Sequence, residues 1–173
     1  CAARQHRQDQ IDLAASEIRG DLPIKIGEDT FTLTAIADRI DRRVDGTYAI
    51  LDFKTGRIPT KKEINAGFEQ QLPLQALIAR AGQFHDLPPA EVTGLGYVGV
   101  KFNFEDVSIA SDAAGVDVLA DEAQQILERL ITAYMNPLVP YLSVPRIQLK
   151  SAYEGDFDRL ARRSEWAEEV DDG

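Results

Sequence analysis

Residues 34–56, Thr34 to Gly56, constrain the fold more than any other stretch. They read as two strands around a tight turn. Alternate side chains on a strand face the same way. Ile36, Asp38 and Ile40 therefore share one row on the first strand, and Ile50, Asp52 and Lys54 share one row on the second. Carboxylates in line with core-facing isoleucines need a charge partner or a metal. Asp52 and Lys54 can serve each other, which leaves Asp38 as a second acid.

The turn decides whether the two acids meet. A two-residue loop pairs Val44 with Thr47 and sets Asp38 opposite Phe53, with the carboxylates on different faces. A three-residue loop, Val44-Asp45-Gly46, with Gly46 left-handed in a bulge, pairs Arg43 with Thr47. Asp38 then falls opposite Asp52, with β-carbons ~4.5–5.5 Å apart. The three-residue loop is the expectation, and with it a grip for one divalent ion.

Two carboxylates and a lysine suit phosphodiester hydrolysis. Mg²⁺ takes hard oxygen ligands and keeps several waters. A bound metal acidifies its water and stabilises charge on a phosphoryl oxygen. A neighbouring ammonium orients the water or offsets transition-state charge. No Ser/His/Asp arrangement competes, since the histidines, His6 and His85, lie near no nucleophile.

The rest of the chain fills in around this hairpin. Ile11, Leu13, Ala14, Ala15 and Ile18 have helical spacing, so residues 3–19 are expected as a helix stopped by Gly20. Strands are expected at 22–27, 30–41 and 47–54, with Asp41 in a surface ion pair with Arg39 or Arg42. A helix follows at 66–82, kinked at Pro73 or starting near 70–72, with Leu74, Leu77, Ile78 and Ala81 as its core stripe. Strands at 95–102 and 106–110 form a second hairpin, and an amphipathic helix covers 117–135. His85 is expected in solvent.

Length and composition narrow the setting. The 173 residues suit one domain, 1–173, with 137–173 as a tail packing on it. Cys1-Ala-Ala-Arg4 enters as if mid-helix, so the chain is expected to be a piece of something larger. No apolar run is long enough to span a membrane. One cysteine excludes an internal disulfide and suits a reducing, cytoplasmic setting. Net charge is −10, from 29 acids and 19 bases, which is awkward for a free-standing DNA binder. Residues 39–62 nevertheless hold seven bases, a local basic rim in which Arg39 and Arg57 are the expected nucleic-acid contacts.

Asp38-Arg39-Ile40-Asp41, Leu51-Asp52-Phe53-Lys54-Thr55-Gly56 and Gln71-Leu72-Pro73-Leu74-Gln75-Ala76-Leu77, in this order, resemble the RecB-like branch of the PD-(D/E)xK nuclease superfamily. The tail, Tyr153 to Trp166, is similar to the C-terminus of AddB-type subunits of bacterial helicase–nucleases. The resemblance implies an α/β, restriction-endonuclease-like core: a mixed central β-sheet flanked by helices. It implies that Asp38 and Asp52 hold Mg²⁺, with Mn²⁺ able to substitute, and that Phe53 offers its backbone carbonyl to the same ion. Lys54 is then the catalytic lysine and Gln71 the glutamine beside the site. The usual tyrosine four residues on is Gln75 here, the position of a nucleic-acid or water contact. The acidic or histidine residue of the family's upstream helix has only Glu17 as a candidate. The implied setting is double-strand break processing on DNA beside an AddA-like motor subunit. The single cysteine excludes the four-cysteine iron–sulfur cluster of some AddB-type domains. Two other readings are an inactive nuclease-like scaffold in the same kind of complex, and another RecB-like nuclease of phage or CRISPR systems.

Overall fold

The computed structural model describes residues 11–60, 63–64, 69–100, 105–136 and 138–139. Its elements are β1 (Ile11–Ile26), β2 (Asp29–Arg43), β3 (Tyr48–Lys54), α1 (Gln71–Arg80), β4 (Val92–Gly99), β5 (Glu105–Ala110) and α2 (Ala113–Met135). The strands lie in sequence order in one five-stranded sheet. All neighbours are antiparallel except β3 and β4, which run parallel. A parallel pair needs a crossover, and α1 lies in it. The result is the expected α/β architecture, a mixed sheet with helices.

The hairpin that opens into the site has the three-residue loop. Arg43 N–H donates to Thr47 O at 2.8 Å and Gly46 N–H to Arg43 O at 2.9 Å. Gly46 sits at φ +85°, where a β-carbon would be strained. The Asp45 carboxylate stiffens the loop by accepting from the Thr47 amide at 2.9 Å and the Thr47 hydroxyl at 2.7 Å. The register that follows pairs Arg42 with Tyr48, Ile40 with Ile50 and Arg39 with Leu51. One step further along the same register brings Asp38 level with Asp52.

The core lies where β2, β3 and β4 meet the helices. Ile40, Tyr48, Ile50, Leu95 and Tyr97 from the sheet cluster with Leu72, Ala76, Ile78 and Ala79 of α1 and with Val116 and Ala120 of α2. Full burial of a side chain such as Ile50 contributes about 1.5–3 kcal/mol. α1 is buried almost all round rather than along one stripe: Leu72 to Ala79 are buried except Leu74, and Ala81 is exposed. Pro73 falls in the first turn, where its missing N–H breaks no helical bond, and the first of these bonds runs from Leu74 N–H to Gln70 O. The helix therefore starts at Gln71 with no kink. α2 begins four residues before the expected Asp117, because Asp112 caps it by accepting from Gly115 N–H at 2.8 Å. Residues 1–132 form one compact unit and 133–173 another. In the second, the described residues carry the end of α2 and a turn from Asn136 to Val139.

One expected element is replaced. Residues 3–10 lie outside the described residues, but Ile11 to Gly20 is strand, not helix, and Gly20 stops nothing. The misreading has a physical cause. Glu17 sits at φ +54° within β1. This left-handed residue swaps the alternation, so that Ala15 before it and Ile18 and Leu22 after it all pack on the core. Spacings of three and four residues, the signature of a helix, are produced by an irregular strand. Gly20 is there for close approach. A β-carbon on it would stand 2.5 Å from Ile78 Cγ2 and 2.8 Å from Phe84 Cδ1.

Gly20→Ala is expected to destabilise the chain by about 1–3 kcal/mol through overpacking against α1. Urea unfolding followed by circular dichroism checks this, and a change within error would show that the contact yields freely.

Candidate active site

Asp52 and Lys54 project from the same side of β3, and α1 places Gln71 over them. Gln71 Nε2 donates to Asp52 Oδ1 at 2.5 Å, and Lys54 Nζ donates to Gln71 Oε1 at 3.2 Å. Lys54 Nζ also lies 2.9 Å from Asp52 Oδ2, with the Asp52 side chain 4% exposed and that of Lys54 26% exposed. That last contact is electrostatic in character: Oδ2 is buried and meets no donor in hydrogen-bonding geometry. Three side chains from two elements thus close a triangle around one buried carboxylate. A buried charge is tolerable only with such company.

Asp38 joins the triangle through the backbone. The β2–β3 ladder stops at Arg39 and Leu51. Beyond it Asp38 Oδ2 accepts the Phe53 amide at 2.9 Å, so the carboxylate supplies an acceptor where the strands part. On a strand the N–H and C=O of one residue point to the same edge. The Phe53 carbonyl is therefore turned toward the β2 edge, beside Asp38. Asp38, Asp52 and this carbonyl are hard oxygen donors gathered about residues 52–53.

That donor set fits Mg²⁺, which accepts one or two carboxylates and completes its shell with water. The buried Asp52 Oδ2, lacking a hydrogen-bond donor, is the observation that favours the fit. Among the described residues no three His, Cys, Asp or Glu side chains come together as a metal cluster. The described protein share is two carboxylates. Glu17 stands level with Asp38, between the pairs Ser16–Arg39 and Ile18–Ala37, on a strand and not on the helix where it was expected.

The family model of the PD-(D/E)XK nuclease superfamily matches residues 2–146. The chain belongs to the PD-(D/E)XK nuclease superfamily. An uncharacterized protein of Rickettsia bellii (strain RML369-C) is 41% identical over 69 residues, 40% of this chain and 8% of the relative. One of Rickettsia felis (strain URRWXCal2) is 37% identical over 84 residues, 47% of this chain and 10% of the relative. The matched segment is thus a small part of each relative. The solved structure of SSO0001 aligns with 72% of this chain and 56% of its own, at 16% identity and a TM-score of 0.43.

This PD-(D/E)XK chain brings Asp38, Asp52, Phe53, Lys54 and Gln71 together, and leaves the other expected residues elsewhere. Arg39 pairs with Leu51 and so faces away from Asp52. Its Nε donates to Asp41 Oδ1 at 2.7 Å, and Asp41 is buried at 5% exposure, where a surface pair was expected. Gln75, expected to touch nucleic acid, is 1% exposed and donates to Ile36 O at 3.0 Å. One helical turn carries it from Gln71 to the underside of β2, so it braces the sheet instead. Arg57 is exposed but engaged, with its two terminal nitrogens 2.7 and 2.6 Å from the Glu63 carboxylate. His85 is exposed, as expected, and lies 3.3 Å from Asp21. Lys61, Lys62 and the 153–166 motif lie outside the described residues.

Two residues of the site were not read from the sequence. Tyr97 pairs with Asp52 across the parallel β3–β4 ladder and carries the Lys54 ammonium 5.3 Å from its ring centroid. Burial first, then the charges of Glu69 and Asp52, push its phenol well above the usual value. Glu69, just before α1, is close enough to act on both Tyr97 and Arg57. The pairing of Asp52 with Tyr97 depends on a crossover register that no local pattern encodes. Glu69 had only its position two residues before Gln71 to mark it.

Hydrogen bonds from Arg57, then from the Thr60 amide and hydroxyl, hold the Glu63 carboxyl at about 2 against an ordinary 4.5. A depressed acid stabilises the fold fully above its ordinary value, and this is lost as pH falls through about 2. A carboxyl-carbon NMR titration should place the Glu63 midpoint near 2, and Arg57→Ala should raise it toward 4.5. A midpoint near 4.5 in the parent would remove the pair from solution.

Proposed function

We propose that this chain is a Mg²⁺-dependent DNA nuclease domain that hydrolyses phosphodiester bonds. The observation that carries the reading is the closed contact of Asp52 with Lys54 and Gln71, with Asp38 locked to the adjoining Phe53 amide. Asp38, Asp52 and the Phe53 carbonyl would hold the ion. The ion, when bound, supplies an acidified water and offsets charge on the phosphoryl oxygens. Lys54 would orient the attacking water and balance the charge that builds on the phosphate. Gln71 bonds to both Asp52 and Lys54 and so bridges the carboxylate and the ammonium. Membership of the superfamily supports nuclease chemistry in general.

The setting we infer is the C-terminal nuclease domain of an AddB-type subunit. It would work in the cytoplasm beside an AddA-like motor during double-strand break processing. The 153–166 motif and the acidic net charge of −10 support this, since a motor subunit would hold the DNA that this domain repels. Among the described residues no helix is long and apolar enough to cross a membrane.

The test uses the longest natural chain containing this domain. Isothermal calorimetry should show Mg²⁺ or Mn²⁺ binding that Asp38→Ala and Asp52→Ala each weaken at least about tenfold. Lys54→Ala should retain the metal but lower cleavage of labelled DNA by about 10²–10³, and chelation should abolish cleavage in the parent. Unchanged cleavage by Lys54→Ala would overturn the catalytic assignment. Metal-independent cleavage would overturn the rest.

A further inference from the structure

We propose that Tyr97 is a positioning residue for Lys54: its ring is the seat that holds the ammonium against Asp52. The assignment of a function to Lys54 rests on the nuclease reading above, but the contact itself does not.

Four observations lead there. Tyr97 is 1% exposed, so its ring cannot move aside for solvent. It is the ladder partner of Asp52, one strand over, and β3 sets Asp52 and Lys54 two residues apart on the same face. The Lys54 ammonium lies 5.3 Å from the ring centroid, within the range of cation–π attraction. The Tyr97 hydroxyl has no hydrogen-bond partner among the described residues, so it is not held in place by a polar network and the ring packing alone fixes it.

The physical need is specific. Lys54 has four rotatable side-chain bonds and a strongly hydrated head. Asp52 Oδ2 attracts it without a hydrogen-bonding direction, and Gln71 accepts from it at the long distance of 3.2 Å. Neither contact defines where the ammonium sits. An aromatic face beneath it does, and it disfavours the water that would otherwise draw the head outward. The neighbours Gly96 and Gly99 on β4 cannot substitute, since they carry no side chain.

The experiment compares Tyr97→Phe, which keeps the ring, with Tyr97→Leu and Tyr97→Met, which remove it, in the full natural chain. The first readout needs no activity. The Lys54 ε-methylene protons, assigned through Lys54→Arg, should resonate upfield of an ordinary lysine in the parent and in Tyr97→Phe. They should return to the ordinary position in Tyr97→Leu and Tyr97→Met. The second readout is kinetic. Tyr97→Leu should lower kcat about tenfold with KM changed less than about twofold, while Tyr97→Phe stays within about threefold of the parent. Met serves if Leu does not fold. Unshifted Lys54 protons in the parent, or a Phe variant as impaired as Leu, would overturn the proposal. A parent that shows the ring-current shift yet cleaves nothing would overturn the nuclease reading and leave the seating of Lys54 standing.

Discussion

The buried carboxylate of Asp52 is the constraint around which the site is built. At 3% exposure it cannot be left alone, and the fold gathers charge and hydrogen-bond partners for it from two elements. Lys54 comes from its own strand and Gln71 from the start of α1, while Tyr97 on the neighbouring parallel strand lies against Lys54. Each of these placements depends on a separate structural decision: strand alternation, the position where α1 begins, and the right register across the crossover. A fold that lost Lys54 or Gln71 would leave a charge buried with too little compensation, at a penalty of several kcal/mol. The same carboxylate therefore disciplines the fold and, in the reading proposed above, would hold the metal.

Asp38 works differently. It is not a partner of Asp52 across an intact ladder. It stands where β2 and β3 separate and takes the Phe53 amide for itself. Parting the strands turns a backbone carbonyl toward open space on the side of a second carboxylate. Continuing the ladder by one more pair would have consumed those backbone groups in sheet hydrogen bonds. The end of pairing is thus what makes the hairpin a candidate metal site. Glu17, level with Asp38 in β1 and left-handed, lies at the same break in regularity.

The legible part of this molecule was local. Val44-Asp45-Gly46 and the alternation on either side fix a register, and from it the levels of Asp38, Asp52 and Lys54 follow, because turn geometry and strand period act over a few residues. The start of α1 near Gln71 was legible for the same reason, from Pro73. What failed was β1, whose left-handed Glu17 turns a strand's period of two into spacings of three and four. Gln75 failed through depth: a residue one turn from the site reads as exposed until the sheet above it is known. Tyr97 could not be found, since its neighbour in space is 45 positions earlier, in register set by the whole crossover.

Under the nuclease reading proposed above, charge limits how tightly this domain alone would hold DNA. Arg19, Arg39, Arg57 and Arg80 are each within salt-bridge distance of an acid of this same chain. Arg80 is shared between Asp117 and Asp121, which ties α1 to α2. A guanidinium already gripped by a carboxylate at 2.6–2.7 Å releases little on meeting DNA, because the incoming phosphate must first displace its twin in charge and shape. Affinity for a polyanion rises with the number of phosphates neutralised by free bases. Engaged in this way, these four arginines offer little grip to a polyanion. Under the proposed reading, such a site would favour a strand delivered to it over a strand it must capture.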